Sequence, residues 1–202
     1  NNILVITVKY KNKINTENFI HRLENLDASD KVELIVVDSE STPKTKENLQ
    51  SLLNSSALKT RLIDSVSNTF YWGGVALALK TLDLNYANGP SWIIACNNDI
   101  LFSQREFFSK LKELDSTKYH VIAPSILSTK TGENLNPYMA KPINIIGKLY
   151  YSIFYLNPST ARLIYNTRKM SQKLFYSVFN KSIPKSGKIY AQQGSFIIFS
   201  NN

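Results

Sequence analysis

SWIIACNNDI, residues 91–100, joins an apolar run directly to a polar end. The run IIAC is uninterrupted, and Asn97, Asn98 and Asp99 follow it at once. A continuous apolar run bounded by polar residues is typical of a strand that is covered on both faces, as in parallel sheets. The stretch therefore predicts a buried strand that carries polar side chains, including one carboxylate, to an edge of a sheet.

The same pattern recurs along the chain, because apolar segments alternate with segments of helical periodicity. Strands are predicted at 3–10, 32–38, 60–64, 91–96 and 119–127, and helices at 15–27, from Pro43 onward, at 73–84 and at 105–114. This alternation indicates an α/β fold, with a mostly parallel, Rossmann-like sheet flanked by helices.

Ligands of such sheets bind beyond the carboxyl ends of the strands. Asp38, Asn68 and Asp99 each lie at or just after the end of a predicted strand. We therefore expect these three side chains to lie along one edge of the sheet, and this expectation needs no comparison with other proteins.

Composition and missing motifs exclude several classes of protein. Cys96 is the single cysteine, so an internal disulfide framework is excluded and a reducing, cytoplasmic compartment is expected. The two histidines, His21 and His120, lie too far apart in sequence for a ligand pair of a zinc site. The sequence also lacks the G-x-G-x-x-G, P-loop and G-x-S-x-G motifs. Their absence argues against dinucleotide-binding Rossmann proteins, P-loop NTPases and α/β-hydrolases.

The net charge of +9 comes entirely from the last third of the chain. Residues 1–133 contain 15 Lys or Arg and 15 Asp or Glu, whereas residues 134–202 contain nine Lys or Arg and no acidic residue. Such an asymmetry indicates an anionic partner for the C-terminal part.

The two acidic residues at strand ends each allow two interpretations. Asp99 could be a ligand of Mg²⁺ or Mn²⁺ shared with substrate phosphates, or the Asn-Asn-Asp sequence could simply form a turn. Asp38 could accept a hydrogen bond from a nucleotide base or ribose, or it could cap the helix that begins near Pro43. Both interpretations stay open for each residue.

The segment SNTFYWGGVALAL (67–79) places Asn68 and a Gly73–Gly74 pair before a predicted helix. Glycines allow a backbone to approach a ligand closely, and a helix N-terminus attracts anions. A plain turn into a helix would use the same residues.

In combination, these segments resemble family 2 of the inverting nucleotide-sugar glycosyltransferases, which have the GT-A fold. The similarity is carried by ILVITVKYKN, LIVVDSEST, SNTFYWGGVALALK, WIIACNNDILFS, VIAPSIL with TGE after it, and QQGSFIIFS, in the order and rough spacing of the family. It is strongest to bacterial rhamnosyltransferase-like members that build surface polysaccharides. The resemblance implies a single GT-A domain over 1–202, with a donor-binding core at 1–137, a basic aromatic insert at 138–188 and a returning core strand at 189–202.

The resemblance also implies roles for individual residues. The donor-binding set is Val8, Tyr10, Asp38, Asn68, Gly73, Gly74, Asn98 and Asp99, with Asp99 on the metal that bridges the donor diphosphate. Gln193 and Gly194 are expected on the acceptor side. The implied cofactor is Mg²⁺ or Mn²⁺, and the implied partners are a UDP- or dTDP-sugar and a glycan or polyprenyl-diphosphate-linked acceptor.

Two departures from the family pattern concern acidic groups. Asn97 stands where the family often has the first acid of a D-x-D element. The family also implies a later acidic general base that deprotonates the acceptor, yet no acid follows Glu133. We expect the chain to be truncated, with the general base beyond residue 202; a degenerate, non-catalytic relative is the other interpretation.

The segment 141–188 interleaves all nine basic residues of the last third with eight Tyr or Phe. Leu174, Phe175, Val178 and Phe179 mark one face of a predicted helix. A basic amphipathic helix suits an anionic membrane surface, which would place the protein at the inner face of the cell membrane. A helical hairpin packed on the core is the alternative. Single-stranded nucleic acid is less favoured, because no nucleic-acid-binding fold surrounds the segment.

Overall fold

The computed structural model describes residues 2–11, 13–65, 67–82, 89–136, 145–175 and 192–201, with the backbone alone at 146 and 168–175. The chain divides into two compact units. The first unit comprises Asn1–Ile126 and Gln193–Asn202, and the second comprises Leu127–Gln192. The sequence predicts an insert at 138–188, which lies within the bounds of the second unit; these narrower bounds stay a prediction.

The first unit is built around a sheet of six strands in the order β3-β2-β1-β4-β6-β5. Strands β1 to β4 are parallel, and β6 runs antiparallel between β4 and β5. This architecture confirms the predicted α/β fold with a mostly parallel sheet. The strands are β1 Ile3–Tyr10, β2 Val32–Ser39, β3 Lys59–Ser65, β4 Trp92–Cys96, β5 Val121–Ile122 and β6 Phe196–Ser200.

Helices follow the strands of this sheet and cover both of its faces. In the first unit they are α1 Lys13–Glu24, α2 Pro43–Ser55, α3 Phe70–Lys80 and α4 Phe107–Glu113, with a short 3-10 helix at Ser29–Lys31. Thr42 caps α2, because its side chain accepts a hydrogen bond from the N–H of Thr45, and Pro43 occupies the first turn. The alternative in which Asp38 caps this helix is therefore wrong.

The core consists of two apolar layers, one on each face of the sheet. One layer joins alternate residues of the strands, such as Val5 and Ile94, to buried side chains of α1, α2 and α4. The other layer joins the intervening strand residues, such as Ile6 and Ala95, to Val75 and other residues of α3. Because both faces are covered, the strands read as continuous apolar runs in the sequence.

The bounds of several elements differ from the prediction; α1, for example, covers Lys13–Glu24 rather than 15–27. The strand predicted at 119–127 is limited to Val121–Ile122, because Pro124, two residues later, has no N–H to extend the ladder. Helix α3 begins at Phe70, three residues before the predicted start at Gly73.

The second unit contains two helices, α5 Ile145–Phe154 and α6 Pro158–Phe175, which pack against each other. The predicted amphipathic face at 174–179 is not settled, because the side chains of 168–175 and all of 176–191 lie outside the described residues. Within the described ranges, no helix is both long and apolar enough to cross a membrane.

Candidate functional site

The carboxyl ends of β1, β2 and β4 meet at one edge of the sheet. These strands are parallel, Lys9 of β1 lies level with Asp38 of β2, and Ile6 lies level with Ala95 of β4. Asp38 and the residues that follow Cys96 therefore share this edge, which we call the carboxyl edge.

Unusual backbone conformations cluster at the carboxyl edge. Lys11 directly follows β1, Glu40 directly follows β2, and Phe70 begins the helix after β3. All three have left-handed backbones, with φ of 57°, 57° and 55°. Such conformations cost free energy in residues other than glycine and tend to cluster at functional sites, so the local backbone supports a binding site here.

Asp38 is the anionic centre of a buried polar cluster. The Nζ of Lys9 donates to Asp38 Oδ1 at 2.9 Å, and both side chains are 0% exposed. The hydroxyl of Ser41 donates to the same oxygen at 2.7 Å, and Lys9 Nζ lies 2.5 Å from Ser41 Oγ. A buried charge is costly unless it is paired and hydrogen-bonded, so the lysine and the serine together stabilise a carboxylate inside the sheet edge.

The second carboxylate oxygen of Asp38 is left over from this cluster. Within the described part of the chain, Asp38 Oδ2 is buried and has no hydrogen-bond partner, as is also the case for Thr7 Oγ1. Unsatisfied buried acceptors are rare in native proteins and call for an explanation such as a bound ligand or water. Asp38 thus has one oxygen committed to the protein and one acceptor to spare.

The loop before α3 is held by polar contacts to the end of β2. The N–H of Asn68 donates to Glu40 Oε1 at 3.3 Å, and Asn68 Oδ1 accepts from the N–H of Phe70 at 2.9 Å. The Asn68 side chain therefore closes the turn that starts the helix.

The predicted Gly73–Gly74 turn lies inside α3 rather than before it. Gly74 is buried, and a Cβ added there would lie 2.6 Å from Cγ2 of Val8. Only glycine therefore lets the first turns of the helix lie directly on β1. The glycine pair therefore has a packing role, because it places the N-terminus of α3 beside the end of β1.

Of the three polar residues after β4, the two asparagines are engaged within the protein. The N–H of Asn97 donates to the carbonyl of Ser195 at 3.0 Å, and Nδ2 of Asn98 donates to Thr16 Oγ1 at 2.9 Å. Asp99 has an exposed side chain. Burial raises the pKa of the neighbouring Cys96 thiol, and the charge of Asp99 raises it further.

This arrangement decides what kind of metal site the carboxyl edge could provide. Among the described residues, no group of three or more His, Cys, Asp or Glu side chains could hold an ion by itself. Mg²⁺, however, is usually held by one or two carboxylates together with substrate phosphates and water. The exposed carboxylate of Asp99 fits a cation that is shared with a bound diphosphate.

Aromatic side chains border the same part of the first unit. Tyr10 at the end of β1 is exposed, and the ammonium of Lys11 lies 4.9 Å from the centre of its ring. Trp72 is 51% exposed, and a Cβ added at Gly194 would lie 3.7 Å from its ring. Gly194 thus lies beside an aromatic side chain of α3, while Gln193 before it is half-buried.

The sequence interpretation missed Lys9, the charged partner of Asp38. The available signal was a lysine inside an otherwise apolar strand, together with an aspartate at the end of the next predicted strand. Neither Ser41 nor Trp72 was singled out, since serine in a turn and tryptophan near a helix start are common.

Comparison with known proteins gives a family match for the sequence and several solved structures with a similar fold. The sequence model of the family described as "Glycosyl transferase family 2" matches residues 4–182. Among solved structures, the mannosyltransferase PcManGT from Pyrobaculum calidifontis, in complex with GDP-Man and Mn²⁺, is similar with a TM-score of 0.53 at 18% identity, over 64% of this chain and 36% of that one.

TarS from S. aureus is similar with a TM-score of 0.53 at 17% identity, over 70% of this chain and 24% of that one. The TarS fragment 1–349 in complex with UDP-GlcNAc gives a TM-score of 0.50 at 18% identity, over 70% and 39% of the two chains. At such identities the likeness shows a common fold, and this chain spans about a quarter to two fifths of the length of these structures. No curated protein sequence matches this chain.

Proposed function

This chain belongs to glycosyl transferase family 2, and from that membership we propose that it takes part in moving a sugar from a nucleoside-diphosphate sugar to a glycan or a polyprenyl-diphosphate-linked acceptor. The observation that carries the proposal is the convergence of Asp38, the strained backbones and Asp99 at the carboxyl edge of a sheet with the GT-A fold. Ligands of open α/β sheets bind at this edge.

For the donor we propose a UDP- or dTDP-sugar. Uracil and thymine each offer a single imide N–H, which matches the single spare acceptor Oδ2 of Asp38. Because the Asp38 side chain is 0% exposed, a base would reach this oxygen only after a local opening of the carboxyl edge. Val8, Tyr10 and Asn68 are proposed to border the base and ribose.

The diphosphate is proposed to lie between Asp99 and the start of α3, with Gly73, Gly74 and Asn98 shaping that side of the pocket. Asp99 would hold Mg²⁺ or Mn²⁺ together with the phosphate oxygens, and the metal would neutralise the charge of the departing diphosphate. The similar solved structures bind GDP-Man with Mn²⁺ and UDP-GlcNAc, which supports a nucleotide-sugar donor with a divalent ion.

The proposed reaction is a single displacement with inversion. The acceptor hydroxyl oxygen forms a bond to the anomeric carbon while the bond from that carbon to the phosphate oxygen breaks, and the nucleoside diphosphate leaves with the electron pair. The hydroxyl proton goes to a general base. We assign no residue of this chain to that role. Gln193 and Gly194 are proposed to face the acceptor.

The acceptor class and the biological setting rest on the family resemblance of the motifs. These motifs favour a rhamnosyltransferase-like enzyme of bacterial surface polysaccharide synthesis, located in the cytoplasm or at the inner face of the cell membrane. The basic segment 141–188 supports an anionic or lipid-linked acceptor.

The donor proposal is tested by thermal unfolding with UDP, dTDP and GDP, each with and without Mg²⁺ or Mn²⁺. A ligand at about 100 times its Kd stabilises a protein by about 2.7 kcal/mol, which corresponds to a rise in Tm of about 5–10 °C at this chain length. We expect this rise with UDP or dTDP in the presence of the metal, and its metal-dependent part should vanish in Asp99→Ala.

The matched control is Asp30→Ala, which removes an exposed aspartate of the 3-10 helix. This variant should keep the full metal-dependent rise. If no nucleotide changes the Tm with either metal, or if Asp30→Ala and Asp99→Ala behave alike, the proposed site is wrong.

A second candidate function is a non-catalytic GT-A module that binds an anionic membrane or polymer. It is favoured by the basic composition of residues 127–192 and by the described helices of the second unit, which expose several large apolar side chains. Such a module would show membrane or polymer binding with no response to nucleotides.

A further inference from the structure

Helix α5 exposes an apolar stripe on one of its sides. Ile145, Leu149 and Ile153 recur every four residues, so they lie on one face, and they are 82%, 63% and 48% exposed. Tyr155 and Leu156 directly after the helix are 75% and 72% exposed. We call these five residues the α5 stripe.

The α5 stripe is not the packing side of the helix. Tyr150 and Phe154 stack on each other with ring centres 6.2 Å apart, and both are half-buried. The helix therefore already has an inner side, and α5 packs against α6. Contiguous exposed apolar surface of this kind marks an interaction site.

The segment of sequence that contains the α5 stripe is strongly basic. Residues 127–192 contain ten Lys or Arg and a single acidic residue, Glu133. Lys148 lies beside Leu149 on the helix, and Arg162 is exposed on α6. An occupant of this surface must therefore offer apolar contact and negative charge together.

We propose that the α5 stripe inserts into the interface of an anionic membrane, with Lys148 and Arg162 at the level of the lipid headgroups. Apolar side chains on one helix face beside basic residues are the features that hold helices in the plane of such an interface. A second copy of this chain is disfavoured, because it would bring two strongly basic segments together. The proposal specifies the membrane partner suggested for 141–188 and does not depend on glycosyl transfer.

The test is co-sedimentation of the full chain with phosphatidylcholine vesicles that contain about one third phosphatidylserine, against pure phosphatidylcholine vesicles, at moderate salt. We expect binding to the anionic vesicles alone. Leu149→Glu should weaken this binding at least about tenfold, because it replaces a side chain whose burial in an apolar phase contributes an order of magnitude in affinity. Lys148→Gln should weaken it about fivefold.

Matched controls come from the first unit. Leu101 is 55% exposed, so Leu101→Glu makes the same chemical change at a similar exposure, and Lys44→Gln removes an exposed charge from α2. Both controls should bind as the wild type does. Circular dichroism and the UDP-dependent Tm rise should be unchanged in Leu149→Glu, which separates this proposal from the proposed donor site.

Several results would overturn the proposal. Equal binding of Leu149→Glu and wild type would exclude insertion of the stripe, and equal binding to neutral and anionic vesicles would exclude recognition of an anionic surface. A salt-sensitive association with single-stranded DNA, and none with vesicles, would instead identify an anionic polymer. A concentration-dependent dimer that Leu149→Glu abolishes, without vesicle binding, would show that a second copy covers the surface.

Discussion

Gly74→Ala tests the packing of α3 on β1, and its effect can be worked out from the structure. The new Cβ would lie 2.6 Å and 3.1 Å from the two methyl carbons of Val8, and 3.4 Å from Thr69 Oγ1. Valine is short and stiff at χ1, so rotation cannot clear both methyl groups. Overpacking of this kind costs about 1–3 kcal/mol, whereas alanine gains about 1 kcal/mol over glycine within a helix. We expect a net loss of up to about 2 kcal/mol in the free energy of unfolding.

The assay is urea unfolding of the wild type, Gly74→Ala, Val8→Ala and the double variant. With the valine methyl groups removed, Gly74→Ala should become stabilising by up to about 1 kcal/mol. These four proteins form a double-mutant cycle, and the coupling energy between positions 8 and 74 should reach about 2 kcal/mol. Gly73→Ala is the control, because its Cβ would meet Thr69 alone, at 3.1 Å. A coupling energy below about 0.5 kcal/mol would refute the reasoning, because the two residues would then behave as independent sites rather than as residues in contact.

Three further outcomes follow from buried and partly buried groups. Lys9→Met should lower the free energy of unfolding by about 3–5 kcal/mol, because it leaves the Asp38 carboxylate buried without its cation, and the double variant Lys9→Met/Asp38→Leu should recover most of that loss in urea unfolding. Burial acts to raise the pKa of Glu24, but hydrogen bonds from Ser56 and other donors outweigh it and hold the pKa below its usual value. Glu24→Gln should therefore have a lower free energy of unfolding than the wild type at neutral pH. This difference should disappear as the pH falls through the lowered pKa of Glu24. Burial raises the pKa of the Cys96 thiol, so a thiol reagent should label it only when denaturant unfolds the chain, and rapid labelling of the native protein would contradict the packing of β4.

The sequence was sufficient to identify most elements of the first unit. Apolar runs such as residues 3–10 and 91–96 are long and bounded by polar residues, so their type and limits could be read directly. The neighbours of a strand could not be read in the same way. Strand β6 pairs with β4 through contacts such as Ile198 with Ile94, and nothing local to either strand specifies a partner so far along the chain.

The candidate site was predictable in position more than in chemistry. Asp38 and Asp99 follow apolar strands, so their placement at the carboxyl edge follows from the period and direction of the strands. The pairing of Lys9 with Asp38 depends on the register between β1 and β2, which brings these two residues level. A lysine in a strand reads as a solvent-exposed residue until that register is known.

Strand β6 also determines when this sheet can be completed during synthesis. It supplies Phe196 and Ile198 to the core and lies between β4 and β5, yet the ribosome adds it about a hundred residues after β4. Until then β4 has an open edge, and apolar side chains that belong in the core remain uncovered. A nascent chain that holds the whole second unit therefore still presents an unpaired strand, so any factor that protects such edges would be needed until β6 has been made.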